Sequence, residues 1–215
     1  MSKIDRAHFA ANFPSSSLFG KKLTAGRLEG FNAIFDVWDG LPAQGSLGGL
    51  AYALATAWHE CGGTMQPVRE GFKATDAAAF KHVKDYCAAQ GIANYAARHP
   101  NGHSYYGRGY VQLTHGDNYK KTGARIGLGN QLYDNPDKVM QPEIAGRILL
   151  TGMIDGLFRP AKGKLADYFT DTKQSWFEAR ELINGDKNKK PGWAGGKKIG
   201  TLIADYGKGF FGALK

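Results

Sequence analysis

Cysteine is nearly absent from this chain: Cys61 and Cys87 are its two, in 215 residues. A small secreted scaffold stapled by several disulfides is excluded, and both thiols are expected to be free. No apolar run reaches the ~20 residues that a helical bilayer crossing needs. The N-terminal stretch MSKIDRAHFAANF carries charges and no apolar core of signal-peptide length, so synthesis in a cytoplasm is expected. Acidic residues are in deficit as well, with 19 Asp and Glu against 28 Lys and Arg, a net charge of +9. Such a balance favours polyanionic partners: nucleic acid, anionic lipid or acidic envelope polymers. Nucleic acid is set aside, because no compact Arg/Lys run interleaved with aromatics is present. Internal repeats and low-complexity segments are also missing.

What the chain does have is ordinary globular composition, 42% hydrophobic and 22% charged, with 30 glycines spread along its length as turn signals. Residues 24–38 place Leu28, Phe31, Ile34, Phe35 and Trp38 at helical spacing behind Thr24, a side chain suited to an N-cap. After a loop over 39–49, LAYALATAWHE repeats the pattern. Leu50, Leu54, Ala57 and Trp58 face inward there, and Gly62–Gly63 end the helix just past His59 and Glu60. Residues 75–90 read as a helix with Ala78, Val83, Tyr86 and Cys87 toward the core. Residues 142–158 and 174–184 read as two more. YVQLT, from Tyr110 to Thr114, is short and alternating, the one strand-like piece. The expectation is a mainly α fold, a single domain over 1–215, with two lobes around a cleft and this short element lining it.

Chemistry-bearing residues gather in the middle of the chain. The HE pair at His59–Glu60 invites a zinc reading, but the second histidine due three positions after the glutamate is Gly63. No metal site is expected. Glu60 remains, a carboxyl at a helix end beside apolar neighbours, an environment that favours its protonated, acid form. Ten residues on stands Glu70. Paired carboxyls across a cleft are what sugar hydrolysis needs, one to protonate the leaving oxygen and one to activate water. A surface ion pair of Glu70 with adjacent Arg69 is the plainer alternative. In YYGRGYVQLTH, period-two alternation turns Tyr110, Gln112 and Thr114 to one face. Tyr105 and Tyr106 offer flat faces for pyranose rings, Gly107 and Gly109 allow close backbone approach, and Arg108 can bond acidic or carbonyl groups.

HE closing a helix, then YYGRG-x-x-QLT-H with Asn118–Tyr119, then ELINGD resembles the family 19 glycoside hydrolases, the plant-type chitinases and their bacteriophage endolysin relatives. The matches run from about residue 50 to residue 186 in the family's order. The resemblance implies a lysozyme-like two-lobe α fold, inversion at the anomeric carbon and no cofactor. It implies Glu60 as general acid, Glu70 as general base and Thr114 as a second holder of the attacking water. It places Gln112, Asn118, Tyr119 and Asn184 against sugar, with Arg180, which precedes the NG motif, as a further contact, while Tyr105, Tyr106 and Arg108 are expected as sugar contacts from their own chemistry.

Tyr110 stands where the chitinases carry proline and Asp186 where their second NGG glycine falls. The interval between the glutamates is short, and the disulfide pattern of the plant enzymes is missing. These departures point to the endolysin branch: a monomer that acts on peptidoglycan glycan strands, waiting in the host cytoplasm until a holin opens the membrane. A chitinase and a non-catalytic wall-binding module are the alternatives. The basic C-terminal stretch KKIGTLIADYGKGFFGALK reads either as a core-closing helix or as a helix lying on an anionic membrane.

Overall fold

The computed structural model describes residues 3–18, 20–42 and 45–215. Met1 and Ser2 of the charged N-terminal stretch, and Ala43 and Gln44 of the expected loop, lie outside the described residues.

The architecture is built around one helix. α1 (Arg6–Ala11) and α2 (Ala25–Asp39) lead to α3 (Leu47–Glu60). Thr24 and Ser46 cap the last two, their side chains accepting from Arg27 N–H and Gly49 N–H, so two otherwise orphaned amides are satisfied. α3 starts three residues before the expected boundary, because Ser46 caps it and Gly48 and Gly49 are helical. It is buried on every side from Gly48 to Trp58. Glycines and alanines let its neighbours approach closely, and α9 (Ile199–Ala213) packs along most of its length. Beside it, α2 packs on α7 (Pro142–Ile154).

Phe13, Phe31 and Phe210 pack on Trp58 near the C-terminus of α3, and Phe9 and Phe35 pack behind them, with ring centroids 5.0 Å apart for Phe9–Phe31 and 5.9 Å for Trp58–Phe210. Tilted and edge-on pairs of this kind add to the burial of each ring. The last turn of α3 is therefore held from below by a rigid aromatic bed.

α9 takes the core-closing place that one of the two readings gave the C-terminal stretch. Ile199, Leu202, Ile203, Tyr206 and Phe210 are buried against the core, leaving no continuous apolar face for a membrane. Two of its glycines answer to packing. A Cβ on Gly207 would lie 2.7 Å from the Trp176 ring, and one on Gly209 would lie 2.4 Å from Ser17 Oγ.

A second, smaller cluster (Ala79, Val83, Cys87, Ala96, Tyr106) forms under α4 (Asp76–Gln90), which Thr75 caps. Ala79 takes the inward place expected of Ala78, which is exposed, and Tyr86 is 49% exposed rather than buried. The two thiols belong to different clusters, both buried and free. The fold is thus the expected mainly α, lysozyme-like, two-lobed one.

Three local expectations are corrected. Residues 110–114 are not a strand: the paired residues are β1 (Val68–Arg69) and β2 (Arg108–Gly109), antiparallel, Val68 opposite Gly109. Tyr110 to Gln112 form a turn, with Gln112 at φ 53°, and Leu113 bridges back to Arg108. Alternation fails because Tyr110 is buried with Val111 and Leu113. The helix expected over 174–184 shrinks to a 3-10 turn, Glu178–Leu182, and the one over 142–158 ends at Ile154. Two short helical turns, α6 (Gln131–Asp134) and α8 (Leu165–Tyr168), complete the chain together with α5 (Gly116–Arg125).

Candidate active site

Glu60 ends α3, where the chain turns away through Cys61. Gly63 N–H bonds back to Trp58 O at 2.7 Å, and both Gly62 and Gly63 hold left-handed φ. The surroundings of Glu60 are not the apolar ones expected. Arg180 Nη1 donates to its Oε1 at 2.7 Å. The same guanidinium grips Asp186 with two bonds, Nε to Oδ1 at 2.7 Å and Nη2 to Oδ2 at 3.0 Å. Arg180 is 2% exposed, while the side chains of Glu60 at 17% and Asp186 at 13% both reach solvent. Burial opposes charge on both Arg180 and Asp186, but their mutual bonds outweigh it. The guanidinium is raised and the Asp186 carboxyl held below its usual range. Burial pushes the neighbouring His59 imidazole down, against the pull of Glu60.

Glu70 belongs to a short 3-10 turn, Glu70–Phe72, at the edge of the smaller lobe. It does not pair with Arg69, which bonds Asp137 at 2.7 Å. Its backbone N–H donates to Gly107 O at 2.8 Å, and Gly107 N–H donates back to Oε2 at 2.8 Å. Tyr95 Oη donates to Oε1 in a short bond. Burial first, and then this carboxylate, raise the Tyr95 phenol well above its ordinary value, so it stays a donor. A Cβ on Gly107 would stand 2.8 Å from Gln112 Oε1 and 3.3 Å from Glu70 Oε2; glycine is what lets these two side chains converge. The two arms also touch. Phe72, two residues after Glu70, lies over Gly62, two residues after Glu60, where an added Cβ would meet its ring at 3.0 Å.

Of the residues expected against sugar, four are scaffold instead. Tyr105 is fully buried, stacked on Tyr133 at 4.8 Å and bonded to Tyr133 O at 2.7 Å. Tyr106 is fully buried and donates to Asp76 at 2.8 Å. Arg108, 2% exposed, bonds Asp76 at 2.8 Å and Asp137 at 3.0 Å and lies 3.7 Å from the centre of the Tyr106 ring. Tyr119 is buried, accepts from Arg108 and donates to Tyr106 O. The dense polar stretch that looked like a binding face is a buried clamp that fixes Gly107. Arg180 likewise holds Glu60 rather than facing the cleft.

Three others do line a groove of about 370 Å³: Gln112, Thr114 and Asn118, with Leu157, Phe158 and Ile183 opposite. Thr114 Oγ1 donates to Gln112 O at 2.7 Å, and Asn118 Nδ2 donates to Thr114 O at 2.8 Å. Asn184 is exposed one residue beyond Ile183. Glu60 opens into a separate pocket of about 510 Å³ with Lys21, Trp58, Phe72 and Trp193.

A family model described as chitinase class I matches residues 43–148, the span that carries α3, both glutamates and the Arg108 clamp. The chain belongs to the family 19 glycoside hydrolases. The acidic 26 kDa endochitinase of Solanum lycopersicum is 57% identical over 35 residues, 16% of this chain and 14% of that protein. The acidic endochitinase pcht28 of Solanum chilense matches to the same extent. These matches cover a small part of the relatives' own length. A bacterial family 19 chitinase of known structure, one with differences from the plant enzymes, is 25% identical with a TM-score of 0.56. That match covers 99% of this chain and 95% of that one. Chitinase C of Streptomyces griseus HUT6037 shares the fold at 22% identity and TM-score 0.56, over 98% of this chain and 76% of its own.

Within this family 19 site, reading the sequence missed Asp186, Tyr95 and the amide of Gly107. Asp186 had a signal, since a carboxylate replacing a motif glycine six residues after a buried arginine needs a reason. Tyr95 had none, being one tyrosine in a loop 25 residues from its partner.

Proposed function

We propose that the protein hydrolyses the β-1,4-linked glycan backbone of bacterial peptidoglycan, with Glu60 as general acid and Glu70 as general base. The observation that carries this is the pair of differently held carboxyl groups, one tied to Arg180–Asp186 and one to Tyr95 and Gly107. Two carboxyl groups share the single Arg180 guanidinium. Asp186 takes two of its N–H groups, which leaves Glu60, with one bond and an open face, as the proton carrier. When Glu60 gives its proton to the glycosidic oxygen, Arg180 stabilises the carboxylate left behind. Glu70 is an acceptor already bonded by a phenol and an amide, so it keeps its place while it draws a proton from water. Thr114, on the groove near Gln112, is the hydroxyl set to hold that water. Attack from the face opposite the leaving group inverts the anomeric carbon.

The net charge of +9 fits an anionic wall better than a neutral polymer, and with the departures from the chitinase motifs it supports an endolysin acting after holin-dependent release. The chitinase names of the relatives favour the second reading, N-acetylglucosamine polymers. Mass spectrometry of digested peptidoglycan, run beside a chitin digest, decides between them. New reducing ends from peptidoglycan and little release from chitin are expected; the reverse result makes this a chitinase. Glu60→Gln, which keeps volume and the Arg180 bond but cannot donate the proton, should lose about 10²–10⁴-fold in rate with its helical content intact. Near-normal activity in a folded variant would end the assignment.

A further inference from the structure

The pocket at Glu60 has walls that acid–base chemistry does not use. Trp193 is 64% exposed and Phe72 61%, two of the large apolar side chains left in water among the described residues, and both line this one pocket. Each is held in place rather than hanging free. The Trp193 ring lies 5.7 Å from that of His59, and Phe72 rests over Gly62. Flat aromatic surface kept exposed beside a catalytic carboxyl suits the C–H face of a pyranose ring.

The same pocket holds a cation without a counter-ion. Lys21 Nζ donates to Gly62 O at 2.7 Å and lies 5.6 Å from the Trp58 ring centre, with the Arg27 guanidinium 5.4 Å over the same ring. Among the described residues, no carboxylate forms an ion pair with Lys21. Burial, and then Arg27, push its ammonium below the ordinary lysine value. A half-buried ammonium beside a second cation is stabilised most by an anion that arrives with a ligand. Gly63 makes the placement possible, since a Cβ there would stand 2.7 Å from Nζ.

We propose that this pocket is a subsite for an acidic sugar, with Trp193 and Phe72 bracketing the ring and Lys21 binding a carboxylate carried on the ring's substituent. This rests on the reading that the cleft takes a glycan, and it deepens it: the subsite distinguishes a peptide-bearing muramic ring from the neutral ring of chitin. Specificity then comes from a charge that the neutral polymer cannot answer.

The test is binding by the Glu60→Gln protein, measured by calorimetry with two probes of equal length. One is a neutral chitin oligosaccharide and the other a peptidoglycan fragment that keeps its stem peptides. Adding Trp193→Ala should raise Kd for both by roughly tenfold, as loss of an aromatic anchor does. Adding Lys21→Met, which keeps the aliphatic stem, should cut the preference for the acidic probe by roughly fivefold, and Lys21→Arg should restore most of it. Melting temperatures matching the parent establish that the fold is intact. Unchanged Kd in Trp193→Ala, or equal weakening of both probes by Lys21→Met, overturns the subsite. Wild-type protein that cleaves neither polymer overturns the hydrolytic reading instead, while the binding comparison still judges the subsite.

Discussion

At the scale of single residues, Asp186 shares with Glu60 the one guanidinium that holds both carboxyl groups. Its carboxyl is held below the 3.8 of a free aspartate, because the Arg180 bonds outweigh burial. A depressed carboxyl contributes stability that is present above the unfolded value and lost as pH falls through the folded one. Wild type should therefore lose melting temperature between about pH 5 and pH 3, and Asp186→Asn should show a shallower loss over that interval. An equally steep loss in the variant would show that Asp186 contributes nothing to acid stability. Thr114→Val removes the hydroxyl and keeps the shape, so it should lower kcat more than it raises KM. Steady-state kinetics on a soluble glycan checks this, and a pure KM effect makes Thr114 a binding group. Glu60, Glu70 and Thr114 stood out in the sequence because they occur in a recognisable order. The true roles of Tyr105, Tyr106, Arg108 and Tyr119 were not. Nothing local shows that Asp76 and Asp137 will fold onto Arg108 and pull the whole stretch inside.

At the scale of elements, periodicity served where burial is one-sided or complete and failed where a turn is fixed from a distance. α2 and α3 could be read from their spacing and terminal residues. YVQLT looked like a strand because side chains alternate in polarity. Its backbone instead turns at Gln112, which Val68 O and Gly109 O hold through the amide at 3.2 and 3.3 Å. The C-terminal helix offers a paired test. Gly212 has nothing within 4 Å of an added Cβ, whereas Gly207 meets Trp176 at 2.7 Å. Gly212→Ala should stabilise by up to about 1 kcal/mol through helix propensity alone. Gly207→Ala should destabilise, because overpacking costs about 1–3 kcal/mol against that same gain. Opposite shifts in Tm are expected, and shifts of the same sign would show that α9 is not seated as described. Removing residues 197–215 should lower Tm and reduce cleavage even of walls stripped of outer membrane, because the lost surface is core.

At the scale of the whole molecule, the two carboxyl groups stand on unequal foundations. Glu60 ends a helix buried on all sides in the main cluster. Glu70 sits on a three-residue turn of the smaller lobe, held by a phenol, an amide and the short β1–β2 pairing. Regions with few buried apolar contacts open at lower free energy than the global transition. As urea rises, the amide of Gly107 should exchange its hydrogen well before those of α3. Activity should disappear while helical circular dichroism is still native. The turn that carries Glu70 would then act as a fuse for the enzyme, giving way first and reversibly, so that dilution out of mild denaturant restores full turnover without any refolding of the main lobe.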